Sequence, residues 1–391
     1  MLLIPGGPNY IGDLIALCIV FMVQAICAWM LWRDSERSPR FRRAVPWALC
    51  VSMGAVTLGV LMRFHRVNRF FPVWFRGWGR GTAITWAFLS VLFAAAWVVS
   101  RILRVHNHHS PARRAFLRTA QAAAFGIPAV ATGYGVFISR FRISLREQDI
   151  LIPGLPADLH GLRVAQLTDI HLSPFLSEKE LARAVDLANE TRPHLTLVTG
   201  DLITSAGDPL DACLAQLARL RAEGGIFGCN GNHEIYTGTE RYVEKMGARQ
   251  GLRILRSRNA QLRFGSATLN LAGVDHQRSR HPYLQGAEHL IEPGAVNILL
   301  SHNPDVFPVA AEKGYDLTIS GHTHGGQVRI EILHQDLNVA RFFTPYVDGL
   351  YRLRHGERDA SIFVSRGIGT IALPARIGAP PEVALLKLCR S

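Results

Sequence analysis

The chain has two hydrophobic patterns, and the change from one to the other comes near residue 150. In the first part, four apolar runs without a polar face follow one another, at 11–32, 45–62, 82–100 and 119–138. Each run is long enough to cross a bilayer as a helix, which takes about 17–25 residues. Trp and Tyr lie near the ends of the runs, as side chains at a membrane–water interface do. The pattern predicts an α-helical transmembrane region of about four spans.

The second pattern begins near residue 160, where short apolar strands alternate with helical stretches. Ser177 with Glu180 forms a capping box, and Asp208 followed by Pro209 indicates a second helix start. Alternation of strands and helices predicts an α/β domain with mainly parallel strand pairing. The predicted strands are 162–167, 195–199, 226–229, 268–272, 296–300, 317–319, 361–364 and 383–388.

The charge follows the same division. The whole net charge of +13 comes from the first 150 residues, which hold 18 Arg and five acidic residues, whereas 151–391 hold 25 basic and 25 acidic residues. This balance excludes a basic nucleic-acid surface on the second part, and the 48% hydrophobic content excludes disorder. The six Cys include no CxxC, so neither a disulfide framework nor a cysteine zinc site is expected. We divide the chain into a membrane domain at 1–140, a linker at 141–159 and a soluble domain at 160–391.

Two features favour an extracytoplasmic soluble domain. If the connectors at 33–43 and 101–118 lie inside the cell, ten Arg lie inside against eight outside. The segment 112–118, Ala-Arg-Arg-Ala-Phe-Leu-Arg, resembles a twin-arginine export signal, although ordinary flanking charge explains it as well. The expectation is a multi-pass protein of the cell membrane whose soluble domain lies outside the cytoplasm.

Ionisable and amide side chains collect where predicted strands end. Asp-x-His alone carries little weight, since Asp158-Leu-His160 is a second copy, but that copy precedes its strand. The other groups each follow a strand, and the carboxyl ends of parallel strands meet at one edge of a sheet. These groups are Asp169 and His171, then Asp201, then Asn232, His233 and Glu234, then His302, and finally His322 and His324.

The residue types in these groups indicate a metal centre. Two divalent metals about 3.5–4 Å apart can stabilise both the attacking and the leaving oxygen of a phosphoryl transfer. Such a pair needs a shared carboxylate, neutral imidazoles and further oxygen ligands, and mixed nitrogen and oxygen ligation suits manganese, iron or zinc. The candidate ligands are Asp169, His171, Asp201, Asn232, His302, His322 and His324.

The five blocks DxH, GD, GNHE, a lone His and GHTHGGQ, in this order, resemble the calcineurin-like metallophosphoesterases over 162–388. The phrases Ser-His-Asn-Pro-Asp, Ser-Arg-Gly-Ile-Gly-Thr and Arg-Ile-Gly-Ala-Pro-Pro-Glu are similar to those of a bacterial membrane-associated branch of that family. The resemblance implies a two-sheet β-sandwich flanked by helices. Members of that branch often carry a single N-terminal anchor, so the role of residues 1–140 lies outside the resemblance.

The resemblance also implies a role for each site residue. The second metal would be held by Asn232, His302 and His322, and Asp201 would bridge it to the first. His233 would contact the substrate phosphate and assist the leaving group, oriented by Glu234. The first metal would be held by Asp169, His171 and His324.

These observations predict a membrane-bound two-metal enzyme that hydrolyses a phosphodiester or pyrophosphate bond of a lipid or lipid-linked substrate. One alternative is a nucleotide phosphodiesterase that the helices merely anchor. Another is a membrane sensor or transporter with a regulatory phosphoesterase domain, which the near absence of ionisable residues in the spans disfavours. The segment 342–352 could line acyl chains or cover the core, and we favour the second.

Overall fold

The computed structural model describes residues 10–34, 39–62, 70–105, 111–277, 283–332, 335–356 and 358–391. The chain forms two compact units, Met1–Phe137 with Ala372–Pro374 and Ile138–Ile371 with Ala375–Ser391. The boundary between them lies close to the change of hydrophobic pattern.

The described part of the first unit is helical. Large apolar side chains lie on its outer surface, including Trp47 at 76% and Val51 at 72% exposure. Apolar surface of this extent suits a lipid environment rather than water. The helices are α1 (Tyr10–Asp34), α2 (Pro39–Leu61), α3 (Val73–Val105) and α4 (Pro111–Phe137).

Three stretches in the described residues are long and apolar enough to cross a membrane, namely Arg42–Leu61, Trp74–Val99 and Ala115–Phe141. They correspond to three of the four predicted runs. The first predicted run lies in α1, where the apolar stretch is the shorter Leu17–Arg33. A helical apolar region with three candidate spans therefore precedes the second unit.

The second unit contains two six-stranded sheets. The strands are β1 (Ser144–Ile152), β2 (Arg163–Leu167), β3 (Leu195–Val198), β4 (Ile226–Gly228), β5 (Leu252–Ile254), β6 (Arg258–Phe264), β7 (Ala267–Gly273), β8 (Val296–Leu300), β9 (Leu317–Ser320), β10 (Arg329–Ile332), β11 (Gln335–Asn338), β12 (Gly349–His355), β13 (Arg358–Val364) and β14 (Glu382–Arg390). The first sheet has the order β1-β14-β2-β3-β4-β5 and the second β12-β13-β9-β8-β7-β6, while β10 and β11 form a separate two-stranded sheet. Five helices accompany them: α5 (Glu178–Glu190), α6 (Leu210–Leu217), α7 (Asn232–Thr237), α8 (Glu240–Arg249) and α9 (Phe307–Lys313).

The main core lies between the two sheets, because alternate strand residues point toward the opposite sheet. It includes Val164, Leu195 and Phe227 from the first sheet and Leu269, Ile298 and Leu317 from the second, all buried. Helices cover the outer faces, as α5 shows with its buried positions Leu181, Ala184, Val185 and Ala188. The predicted two-sheet sandwich with flanking helices is confirmed.

All eight predicted strands are present, but two other assignments differ from the structure. Residues 144–152, which we assigned to the linker, form β1 and pair in parallel with β14. The sequence gives no signal for this strand because it lies at an edge of the sheet and is largely polar and exposed. Asp208 does not cap α6, since its Oδ2 accepts hydrogen bonds from the backbone N–H groups of Thr204 and Ser205.

The strand directions define one edge of the unit, where β2, β3, β4, β8 and β9 all end; we call it the site edge. β2, β3 and β4 are mutually parallel, and so are β8 and β9. Side chains that follow these strands therefore meet at the site edge.

Candidate metal centre

The predicted ligand residues come together at the site edge. Three groups of ligand atoms form there, and within each group the atoms lie within 4.8 Å of one another. The groups are Asp169, His171 and His324; His171, Asp201 and His233; and Asp201, His302 and His322. Asn232 is buried beside His233 at the start of α7. All seven candidate ligands and His233 thus occupy one region.

The backbone around these residues is strained. A positive φ is uncommon for residues other than Gly, and such strain is typical of functional sites. Two glycines permit the close packing: a Cβ on Gly231 would overlap the Asp201 carboxylate, and one on Gly321 would overlap the Asp169 carboxylate. The site residues with positive φ are Asp169 (49°), His171 (48°), Asp201 (58°), His322 (77°) and His324 (54°).

In the first group, two imidazole nitrogens face each other. His171 Nε2 lies 3.2 Å from His324 Nε2, which is 3.3 Å from Asp169 Oδ1. Burial lowers the pKa of His171 to about 3, so the ring is neutral, the form that binds metals. Burial also raises the pKa of Asp169 to about 6, although the His322 N–H donates to its carboxylate. The two facing Nε2 atoms and the Asp169 carboxylate are therefore placed to bind a cation between them.

The group of Asp201, His302 and His322 also indicates a bound cation, through its electrostatics. His302 Nε2 is 3.0 Å from Asp201 Oδ2, and His322 Nδ1 is 3.2 Å from His302 Nε2. Burial would lower the pKa of His302, but the carboxylates of Asp201 and Asp169 outweigh it and raise the pKa to about 10. The buried acids therefore require a positive charge here, as a proton or as a metal ion.

Asp201 lies between the group that contains His171 and His324 and the group that contains His302 and His322. The same oxygen, Oδ2, is 3.0 Å from His302 Nε2 and 3.5 Å from His171 Nε2. The other oxygen accepts a hydrogen bond of 2.8 Å from the backbone N–H of His233. One carboxylate oxygen is thus within reach of ligand atoms from both groups.

Asn232 Oδ1 and His233 Nε2 are buried at the site and have no hydrogen-bond partner among the described residues. Such atoms cost free energy unless a ligand pairs with them. His233 Nδ1 lies 2.6 Å from the Thr204 carbonyl oxygen, which can only accept, so Nδ1 carries a proton. The Oγ1 of Thr204 is also 3.2 Å from His171 Nδ1. Thr204 therefore fixes the rings of His171 and His233.

The Glu234 carboxylate makes its described hydrogen bonds with backbone N–H groups and not with the His233 ring, which the resemblance implies that it orients. Its Oε1 accepts from the backbone N–H of Leu202, and its Oε2 accepts from those of Asp201 and Gly231, at 2.7–2.8 Å. Burial raises the pKa of Glu234, and the nearby Asp201 carboxylate raises it further. Its role in the structure is to join the loops after β3 and β4, because the side chain points back across the start of α7.

Two other residues at the site were not singled out from the sequence. The ring of His276 lies 5.4 Å from the ring of His322 between centroids. It follows β7, a strand that the sequence predicts, so the rule of polar residues after strand ends could have found it. Arg376 is fully buried and donates to the carbonyls of His324 and Gly369 at 2.9 and 3.0 Å. The sequence indicates this buried Arg only by its position, since Arg376 lies within the otherwise apolar run 371–381.

The fold and the site together define a metallophosphoesterase domain. Residues 162–326 match the family model described as calcineurin-like phosphoesterase, and the second unit of the chain belongs to that family.

Three relatives that match this chain over part of its length agree with this assignment. A zebrafish (Danio rerio) transmembrane protein with metallophosphoesterase domain is 30% identical over 67% of this chain and 61% of its own length. An uncharacterized metallophosphoesterase of Campylobacter jejuni is 31% identical over 62% of this chain and 63% of its own length. Another uncharacterized metallophosphoesterase, from Bacillus subtilis, is 28% identical over 66% of this chain and 89% of its own length. The chain spans less than two thirds of the length of the first two relatives.

Proposed function

We propose that the chain is a membrane-bound phosphodiesterase-type hydrolase with two divalent metal ions, acting on a phosphodiester or pyrophosphate bond. The observation that supports it most is the convergence of buried His and Asp ligand atoms within 4.8 Å in adjacent groups. Asn232 Oδ1 lies buried without a partner among the described residues, which suits an oxygen ligand. The residues present therefore fit the metals that the family implies.

The first metal would be held by Asp169, His171 and His324, and the second by Asn232, His302 and His322. Asp201 would bridge them, because its Oδ2 approaches a histidine of each set. When bound, the two ions would activate a water molecule and neutralise charge on the phosphoryl oxygens. Manganese, iron and zinc all suit this donor set.

His233 would donate a proton to the leaving oxygen. Its Nδ1 proton is held by the Thr204 carbonyl at 2.6 Å, so Nε2 is the atom presented to the substrate. In the protonated ring, Nε2 carries the proton that a departing alkoxide needs. Glu234 supports this role only indirectly, by fixing the backbone of Asp201 and Gly231.

The substrate in this proposal is lipid or lipid-linked, and the phosphoesterase domain lies outside the cytoplasm of a multi-pass protein. The candidate spans in the same chain support the membrane location, and the Arg distribution supports the orientation. Protease added to intact spheroplasts should remove the domain. Cleavage that requires lysis would place the domain in the cytoplasm.

An activity panel on the full-length protein in detergent tests the function. We expect manganese-dependent hydrolysis of a lipid phosphodiester, lost with a chelator and restored by metal. Faster hydrolysis of a nucleotide phosphodiester than of the lipid would favour the anchored nucleotide enzyme. A truncated chain that starts near residue 151 is unsuitable for the panel, because the truncation would remove most of β1 from the first sheet.

A further inference from the structure

The chain enters the phosphoesterase unit at the site edge. The last candidate span ends at Phe141 and β1 begins at Ser144, so about 10 Å of extended chain separates them at most. In the first sheet, Ser144 pairs with Glu382 of β14, and β14 runs antiparallel to β2 with Ala384 opposite Gln166. The start of β1 therefore lies level with the end of β2, from which Asp169 follows.

Polar contacts fix residues 140–146 to the loops of the site edge. Arg146 lies 3.5 Å from the Asp348 carboxylate and 3.6 Å from that of the fully buried Glu382. Upstream, the buried Arg140 donates a hydrogen bond to the carbonyl of Phe175, in the loop that follows His171. Residues 140–146 are therefore held against loops of the site edge.

An exposed apolar segment lies at the same edge; we call residues 339–343 the Phe loop. Within it, Val339, Phe342 and Phe343 are 58%, 86% and 60% exposed. The segment 342–352 that we expected to cover the core does so only in its later part, where the half-buried Tyr346 and Tyr351 pack on a core cluster.

The Phe loop is anchored at both ends to the loops that carry the site. Asn338 Nδ2 donates to the Gly325 carbonyl at 3.0 Å, next to His324. Thr344 Oγ1 donates to Asp305 at 2.6 Å, in the loop after β8. The exposed aromatic rings on this anchored turn form an apolar surface patch, whose exposure to water is unfavourable. Aromatic side chains are enriched at membrane–water interfaces.

We propose that the Phe loop docks into the interfacial layer of the lipid bilayer, so that the site edge opens toward the membrane surface. The bilayer is the occupant because only about 10 Å of extended chain at most joins the end of the last candidate span to the start of β1. The proposal rests on the proposed function for the membrane location only, and not on the hydrolytic step. A phosphate ester at headgroup depth would then reach the metal centre without leaving the bilayer.

Photo-cross-linking of the full-length protein in phospholipid vesicles tests the docking. Benzoylphenylalanine would replace Phe342 in one variant and, as a control, His355 in another. His355 is exposed and is the last residue of β12, at the opposite edge of the unit. We expect lipid adducts at position 342 and none at 355. Equal adducts at both positions, or adducts of 342 with a second protein chain instead of lipid, would overturn the proposal.

A double variant, Phe342→Ser with Phe343→Ser, supplies a second readout. Loss of two inserted rings should lower kcat/KM on a vesicle-embedded phosphodiester on the order of tenfold or more. Hydrolysis of a water-soluble nitrophenyl diester should be unchanged, since neither ring is a ligand. Equal losses on both substrates, or none on either, would contradict docking. If the unmodified protein hydrolyses neither ester, the proposed function fails, and the cross-linking result still decides the docking.

Discussion

Strand β2 carries the same three-residue pattern at each end, and the two copies have different surroundings. Asp169-Ile-His171 follows the strand, is fully buried and has a left-handed backbone at both ionisable residues. Asp158-Leu-His160 precedes it and has an exposed Asp and His. There, Asp158 Oδ2 accepts from the N–H and the hydroxyl of Ser266 at 2.7 and 2.6 Å. The same Asp-x-His pattern therefore belongs to a candidate metal centre at one edge of the sheet and to a hydrogen bond that supports a turn at the other.

The difference arises from strand direction. At the site edge, the ends of five strands bring carboxylates and imidazoles into one buried region, and burial raises the pKa of Asp169 to about 6. At the opposite edge, the hydrogen bonds from Ser266 lower the pKa of Asp158. The order of a motif relative to its strand is thus more informative than the motif itself.

The largest effect in this comparison should come from Asp201→Ala. The change removes the oxygen that lies between both ligand groups and leaves two cations without the charge that separates them. We expect metal content and activity to fall together to background, measured by elemental analysis and by hydrolysis of a nitrophenyl diester. A variant that keeps both metals would contradict the bridging role.

His233→Ala should fail in a different way. Since we assign no metal to His233, the variant should keep its metal content while kcat falls about 10²–10⁴-fold on an ester with a poor leaving group. The loss should shrink for a nitrophenolate leaving group, which needs no proton. Loss of metal from this variant would instead make His233 a ligand, as its place near His171 and Asp201 would allow.

The sequence predicted the strands with buried apolar residues and the residues that follow them, because both signals are local. Among the strands it missed are β1 and β12, whose exposed positions give no continuous apolar run. The hydrogen-bond partner of His233 could not be predicted, because it is a backbone carbonyl and every residue has a backbone carbonyl. The hydrogen bonds of Glu234 could not be predicted either, because adjacency in sequence says nothing about the direction in which a side chain crosses the start of a helix.

Thr204→Val should have a moderate effect. Val keeps the shape and the backbone carbonyl that holds His233, but it removes the hydroxyl 3.2 Å from His171 Nδ1. Loss of such a support typically lowers metal affinity about 10–100-fold. We expect a weaker metal dependence of activity with a nearly normal kcat at saturating metal, and Thr204→Ser should restore the affinity. A fall in kcat that excess metal does not recover would indicate that the hydroxyl acts on His233 instead.

The smallest effect should come from the second copy of the motif, in the double variant Asp158→Ala with His160→Ala. Asp158 supports the turn at Ser266, and His160 Nδ1 accepts from the backbone N–H of Arg390 at 3.2 Å, so both contacts are structural and exposed. Metal content and kcat should match the unmodified protein, whereas the matched variant Asp169→Ala with His171→Ala should lose both. Comparable losses in the two variants would mean that strand direction does not separate a metal site from a turn contact in this fold.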